Sequence, residues 1–267
     1  MKKLFSCCFT TLFLLPTVVL AEEAPVETRI NKVRVGGSLS FNYDRPIFKG
    51  INSTTGYSLV PRLSLGPVRS DEENGSTNRF KGPLKFMLKP RFGFFKQGYD
   101  ASDSVMLRGM KDRDSSFNLG LKFHTRTPVG SFVLEGGYDV SGKHDGFEGS
   151  FMYTNLIPLG ASRLRLYPEI GVYYWSKRVS DYYFGVNLGE VLVGMDVTDD
   201  EIRPAYDLES TTNYFLGYRL EYPLSKKWGL THTLRSTWFD DQIKDSPITE
   251  DDMDNDVKAT FGVTYDF

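Results

Sequence analysis

The sequence predicts an all-β fold: a transmembrane antiparallel up-and-down β-barrel of about ten strands, following a cleaved signal peptide. Three observations carry this expectation. Apolar residues alternate with polar or small ones over segments of about 9 to 12 residues, the length a tilted strand needs to cross a bilayer. The connections between segments alternate between tight and long. Trp228 and Trp238 lie on one face of one segment; at about 3.3 Å per residue and a tilt near 40°, they bracket roughly 25 Å of membrane.

Composition narrows the alternatives. The chain has 267 residues, of which 25% are charged, and its mean hydropathy is −0.32. With no apolar run of about 18 residues, a polytopic helical membrane protein is excluded. The 20 Phe and 15 Tyr argue against disorder, which depletes aromatics. The 2 Cys are Cys7 and Cys8, so no downstream disulfide framework or cysteine metal site is possible. A net charge of −2 gives no global sign of nucleic-acid binding.

The elements follow in chain order. Residues 1–21 read as a secretory signal: Lys2 and Lys3, an apolar run from Leu4 to Leu15, a break at Pro16, and Val19-Leu20-Ala21 as a cleavage site. Residues 22–30 form a periplasmic N-terminal segment, and 31–267 the barrel. Strands are expected at 31–43, 55–66, 83–95, 115–126, 130–140, 147–157, 163–175, 213–222, 228–239 and 257–267. Thr127–Gly130, Pro158–Ser162 and Pro223–Lys227 are tight turns; Lys96–Asp114, Ser176–Thr212 and Asp240–Asp256 are long polar loops. The Gly66–Gly82 connection is unexpectedly long for a periplasmic turn, and Asp181–Val193 leaves a twelve-stranded barrel open. Phe261, Val263, Tyr265 and terminal Phe267 alternate as in the signal read by the outer-membrane barrel assembly machinery.

An ordered set of short runs resembles the MipA/OmpV (MltA-interacting protein) family of outer-membrane proteins. These are Gly98-Tyr99, Leu107 to Arg113, Asp139 to Gly146, Tyr167 to Val172, and Asp181-Tyr182-Tyr183-Phe184-Gly185-Val186. Pro204-Ala205-Tyr206 and Asp245-Ser246-Pro247-Ile248 complete the set. The resemblance implies a non-enzymatic role in the bacterial outer membrane, among outer-membrane lipids and lipopolysaccharide. It implies a scaffold that brings a lytic transglycosylase together with a bifunctional penicillin-binding protein. Other members are linked to permeability or adhesion. No catalytic residue and no cofactor carry over.

The residues themselves offer limited chemistry. His124, His144 and His232 are scattered, with His144 in an outer loop, and form neither a catalytic triad nor a metal pair. Asp240–Asp256 carries eight acidic residues without the glycine turn of a calcium loop, and reads as a solvated loop with weak divalent-cation affinity as the alternative. Strand parity turns eleven bases inward: Lys32, Arg34, Lys85, Lys89, Arg91, Lys122, Arg163, Arg165, Arg219, Arg235 and Lys258. Five acids join them: Glu135, Asp139, Glu169, Glu221 and Asp266. Such a lumen must be hydrated or laced with ion pairs. An ion-paired plug is the first expectation and a narrow, mildly anion-preferring pore the second. Ser176–Thr212 either folds inward as a constriction or caps the mouth.

Overall fold

The computed structural model describes residues 31–44, 47–52, 54–67, 85–95, 97–160, 163–192, 203–251, 253 and 255–266. The signal at 1–21, the segment 22–30, the connection 68–84 and Phe267 lie outside them, as do the side chains of Lys32, Arg34, Lys85 and Asp266.

Each expected strand is present. They are β1 (Asn31–Asp44), β2 (Thr54–Pro67), β3 (Lys85–Phe95), β4 (Ser116–Thr127), β5 (Gly130–Asp139) and β6 (Phe147–Thr154). After a two-residue β7 (Ile157–Pro158) come β8 (Arg165–Trp175), β9 (Thr211–Pro223), β10 (Trp228–Trp238) and β11 (Asn255–Asp266). The strand expected at 147–157 breaks after Thr154, where the Asn155 side chain accepts the Leu156 N–H and diverts the ladder. Asp181–Val193 adds no spanning strand among its described residues. It holds part of helix α1 (Lys177–Phe184), a 3-10 turn at Leu188–Glu190, and isolated bridges from Val186 and Leu192 to Tyr206 and Arg203.

All pairings are antiparallel, in the order β2-β1-β11-β10-β9-β8-β6-β5-β4-β3, with β7 on β8. First and last strands therefore pair, Phe41 opposite Phe261 and Leu39 opposite Val263. The two ends of this path, at β2 and β3, meet through their loops: Phe48 and Tyr99 pack with ring centroids 4.5 Å apart. One end of the barrel carries the tight turns at Thr127–Gly130 and Pro223–Trp228, and the other carries the described parts of the loops that follow β1, β3, β5, β8 and β10.

Period-two register sends the large apolar side chains outward. Leu39, Leu121, Leu134, Ile170, Leu216 and Phe261 are all exposed on that face. Trp228 and Trp238, 49% and 41% exposed, stand at opposite ends of β10, and Trp228 rests on Tyr265 at 4.6 Å. Such an apolar outer band on a polar interior is the reverse of a water-soluble barrel, and it suits lipid.

The buried apolar core lies at the loop end. Phe48, Leu107, Trp175, Val179, Tyr183, Phe184, Leu208, Ile243 and Ile248 form its centre, drawn from four loops and the last residue of β8. The described parts of Ser176–Thr212, at 176–192 and 203–212, thus contribute to a cap over the mouth. Helix α1 serves this because Val179, Ser180, Tyr183 and Phe184 recur at helical spacing and share a buried face. The loop Asp240–Asp256 is not simply solvated: Ile243, Ile248 and Met253 are buried in the cap while Asp241, Asp245 and Asp251 are exposed.

Phe184 stacks on Trp175 at 5.9 Å and on Phe48 at 5.4 Å. Phe184→Ala should destabilise the cap by about 3–5 kcal/mol and leave the sheet intact. Limited proteolysis should then cut the loops faster while the heat-modifiable gel mobility of the barrel stays unchanged; unchanged cleavage would contradict this packing.

Candidate functional site

The interior charges are paired in three groups. Lys122 bonds Glu135 at 2.5 Å, Arg91 reaches Glu135 at 3.2 Å and Glu148 at 2.6 Å. The second group joins Arg235 to Glu169 and Arg219 to Glu221, with Arg219 4.0 Å from Glu169. Arg235 also donates to the Tyr173 hydroxyl at 2.5 Å and lies over the Phe215 ring at 4.4 Å. The third holds Lys258 between Asp44 at 3.3 Å and Asp256 at 3.4 Å.

The inward bases are thus more fully balanced than strand parity indicated. Glu148 and Asp256 supply carboxylates that were missed, although each sits at an inward position of its strand. Arg165 is half-buried opposite Glu221 in the β8–β9 register. Lys89 is exposed opposite Lys122, and Arg163 is exposed ahead of β8 rather than inside the barrel. A cavity of about 360 Å³ remains between the first two groups, bordered by Arg91, Lys122, Glu148, Tyr173 and Arg235.

Asp139 departs from its expected lumenal role. As the last residue of β5 it turns into loop 140–146, where its carboxylate accepts the N–H groups of Ser141, Lys143, His144 and Asp145. This turn brings His144 to Ser116, Nε2 to Oγ at 2.9 Å. Serine, histidine and aspartate therefore do come together, contrary to the scatter in sequence. The wiring is not that of a nucleophile relay. Nδ1 of His144 accepts the Gly146 N–H at 2.9 Å, which assigns the ring proton to Nε2. The ring then donates to Ser116, and Ser116 donates to Asn118 at 2.9 Å. A triad needs the opposite polarity, with the histidine accepting from serine. Burial also pushes the His144 imidazole below its usual range, keeping it neutral.

The cap is clipped by a buried group built from two loops. The Glu190 carboxylate accepts from Arg113 at 2.8 Å, from the Lys111 N–H at 3.0 Å and from the Asn187 N–H at 3.0 Å. Arg203 spends its guanidinium on three carbonyls: Glu190 at 3.0 Å, Met106 at 2.9 Å and Arg108 at 2.6 Å. Gly109, at φ +85, takes the left-handed turn that follows Arg108 in this loop. Burial disfavours the Glu190 charge, yet the Arg113 and backbone donors outweigh it and bring the carboxyl down to about 2.

The residues carrying the family resemblance converge here. Tyr183 donates to the Asp114 carbonyl at 3.0 Å, and Tyr182 lies under the Arg113 guanidinium at 5.6 Å. Ser246 donates to the Phe184 carbonyl at 2.6 Å, joining two of the runs, and Pro247 is half-buried beside it. Gly185 closes α1 by donating to the Asp181 carbonyl at 2.8 Å; a Cβ there would stand 2.4 Å from that oxygen. Val186 bridges Tyr206. Phe261, Val263 and Tyr265 instead lie on β11, in the seam with β1. Among the described residues no cluster of His, Cys, Asp and Glu suits a metal ion.

Two outcomes are expected. Arg203→Lys cannot span three carbonyls and should loosen the cap, on the order of 3 kcal/mol, read as faster amide exchange in 96–115 and 176–192. The cap should also weaken in acid. His144, depressed by burial, withdraws stability as pH falls below 6.5. Glu190 contributes fully above 4.5 and loses its contribution as pH falls toward about 2. Near-UV circular dichroism that stays constant from about pH 7 to 3 would contradict both assignments.

The sequence profile of the family described as MltA-interacting protein MipA matches residues 17–267. Outer membrane protein Omp26La of Vibrio anguillarum is 30% identical over 169 residues, 63% of this chain and 61% of its own. OmpV of Vibrio cholerae aligns with the same identity and coverage. The match thus spans about three fifths of these curated relatives. Among solved structures, an outer membrane channel from Pseudomonas putida F1 covers 92% of this chain and 100% of its own, at 11% identity and a TM-score of 0.40. The antiparallel strand order, the outward apolar band, the family profile and these outer-membrane relatives together make the protein an outer-membrane β-barrel. With the profile spanning all strands and every loop of the cap, the chain belongs to the MltA-interacting protein MipA family.

Proposed function

We propose that this barrel is a non-conducting scaffold whose turn end faces the periplasm and docks peptidoglycan enzymes. One observation carries the reading: the described loops pack into a cap with a buried apolar core, and the inward Arg91, Lys122, Arg219, Arg235 and Lys258 are each paired with carboxylates. A barrel built this way serves as an anchor better than as a passage. The family description names interaction with MltA, which points to a lytic transglycosylase as one partner, with a bifunctional penicillin-binding protein as the other. On the periplasmic side the tight turns at Thr127–Gly130 and Ser225–Lys227 offer little area. The docking surface is therefore assigned to the Gly66–Gly82 connection and the segment at 22–30, with residues 1–21 removed as a signal.

A narrow pore with mild anion preference is the second reading, favoured by the lumenal cavity beside Arg91, Lys122 and Arg235. It requires the cap to move aside.

Affinity capture from a detergent extract tests the first reading. The intact barrel should retain a lytic transglycosylase or a penicillin-binding protein, and deletion of Ser70 to Asn78 should reduce the yield at least several-fold. Capture of neither enzyme by a correctly folded barrel would overturn it.

A further inference from the structure

A cleft of about 470 Å³ opens on the cap between α1, loop 140–146 and the segment 111–113. Its volume falls in the range of small-ligand sites, roughly 300–1,000 Å³. Four cations border it, Lys111, Arg113, Lys143 and Arg178, against the carboxylates of Asp145 and Asp181. Two of the cations are already committed, Arg113 to Glu190 at 2.8 Å and Lys143 to Asp114 at 2.5 Å. Lys111 and Arg178 are both exposed, and among the described residues neither has a carboxylate partner. Arg178 uses Nη1 on the Asp145 carbonyl at 3.0 Å, and this contact orients its guanidinium.

The remaining wall supplies different chemistry. Tyr182 is held on three sides: its hydroxyl accepts the Asp114 N–H at 3.1 Å, Arg113 covers the ring, and His144 packs 5.8 Å away. Tyr183 meets the same ring edge-on at 4.8 Å, and the part of Tyr182 that lines the cleft offers an aromatic surface for the C–H groups of a sugar ring. Asp145 sits at φ +49, a left-handed conformation rare for residues other than glycine, asparagine and aspartate. The Asp139 carboxylate on its N–H, at 3.1 Å, and Arg178 on its carbonyl hold it there. Its exposed carboxylate is an acceptor for hydroxyl groups.

We propose that this cleft binds a phosphorylated saccharide. Lys111 and Arg178 take the phosphate, Tyr182 takes the apolar face of the ring, and Asp145 accepts its hydroxyls. Charge-assisted pairing of guanidinium and ammonium with phosphate supplies the strongest contacts. The same chemistry occurs in a free sugar phosphate and in the phosphorylated glucosamine headgroup of lipopolysaccharide. The proposal does not depend on the docking of periplasmic enzymes, which uses the opposite end of the barrel.

Calorimetry on the full-length protein in lipopolysaccharide-free detergent micelles tests it, with glucosamine 1-phosphate, glucosamine and inorganic phosphate as probes. A second arm uses phospholipid nanodiscs with and without lipopolysaccharide. Saturable binding of glucosamine 1-phosphate identifies a soluble ligand; binding confined to lipopolysaccharide-containing discs identifies the lipid-linked one. In either arm the double variant K111E/R178E should weaken binding at least tenfold. Asp145→Gly, which suits the left-handed backbone, should weaken it less, and Lys226→Glu at the turn end should leave it unchanged. Near-UV circular dichroism identical to wild type shows that the cap of each variant is folded. Equal binding of glucosamine or phosphate alone, undiminished binding by the folded double variant, or no binding in either arm would overturn the proposal.

Discussion

A charge removed from water must meet an opposite charge or a full set of hydrogen-bonding partners, and this constraint organises both halves of the molecule. In the cap, Glu190 and Arg113 have side chains only 1% and 4% exposed, and each would be costly alone. Their pairing lets the loop at 96–115 and the segment after α1 share one interior. In the lumen, strands that present lipid-facing Leu, Phe and Tyr on one side necessarily turn their charges to the other. Arg91, Arg235 and Lys258 are tolerable there because Glu148, Glu169 and Asp44 stand on other strands within reach, with Asp256 two residues from Lys258 on its own strand.

The two interiors are continuous. Lys122, Glu135, Arg91, Glu148, Asn118, Ser116 and His144 form an unbroken chain of polar contacts from the barrel wall to the cap. Each member fixes the rotamer of the next, so the cap is anchored to the barrel by hydrogen bonds as well as by the packing of Phe184 on Trp175. A packed loop end of this kind suits the proposed structural role. It also makes the cleft beside Tyr182 a preformed feature, because His144 at the end of this chain and Arg113, fixed separately by Glu190, both hold that ring.

The barrel was legible in the sequence because its signal is local. Leu119, Leu121 and Phe123 alternate with Gly120, Lys122 and His124, and nothing beyond the strand is needed to read their faces. The strand positions and the tryptophan pair on β10 follow from that rule, as do the inward Arg91, Lys122, Arg219 and Arg235; Arg163, which the rule also turned inward, is exposed ahead of β8. The cap was not legible, because its contacts are distant and aperiodic. Arg203 meets the Met106 carbonyl across 97 residues, and Ser246 meets Phe184 across 62. In the acidic loop the charges concealed Ile243, Ile248 and Met253, whose regular spacing was the available clue. His144 was likewise indistinguishable from a solvated loop histidine until the Asp139 turn placed it against Ser116.

The central claim is that cap and paired lumen together close the barrel, and planar-bilayer recording tests it most directly. The wild-type protein should give no conductance steps above detergent controls, whereas Glu190→Ala, which leaves Arg113 without its buried partner, should give frequent openings. Stable anion-preferring steps from the wild-type protein, unchanged in that variant, would contradict the account.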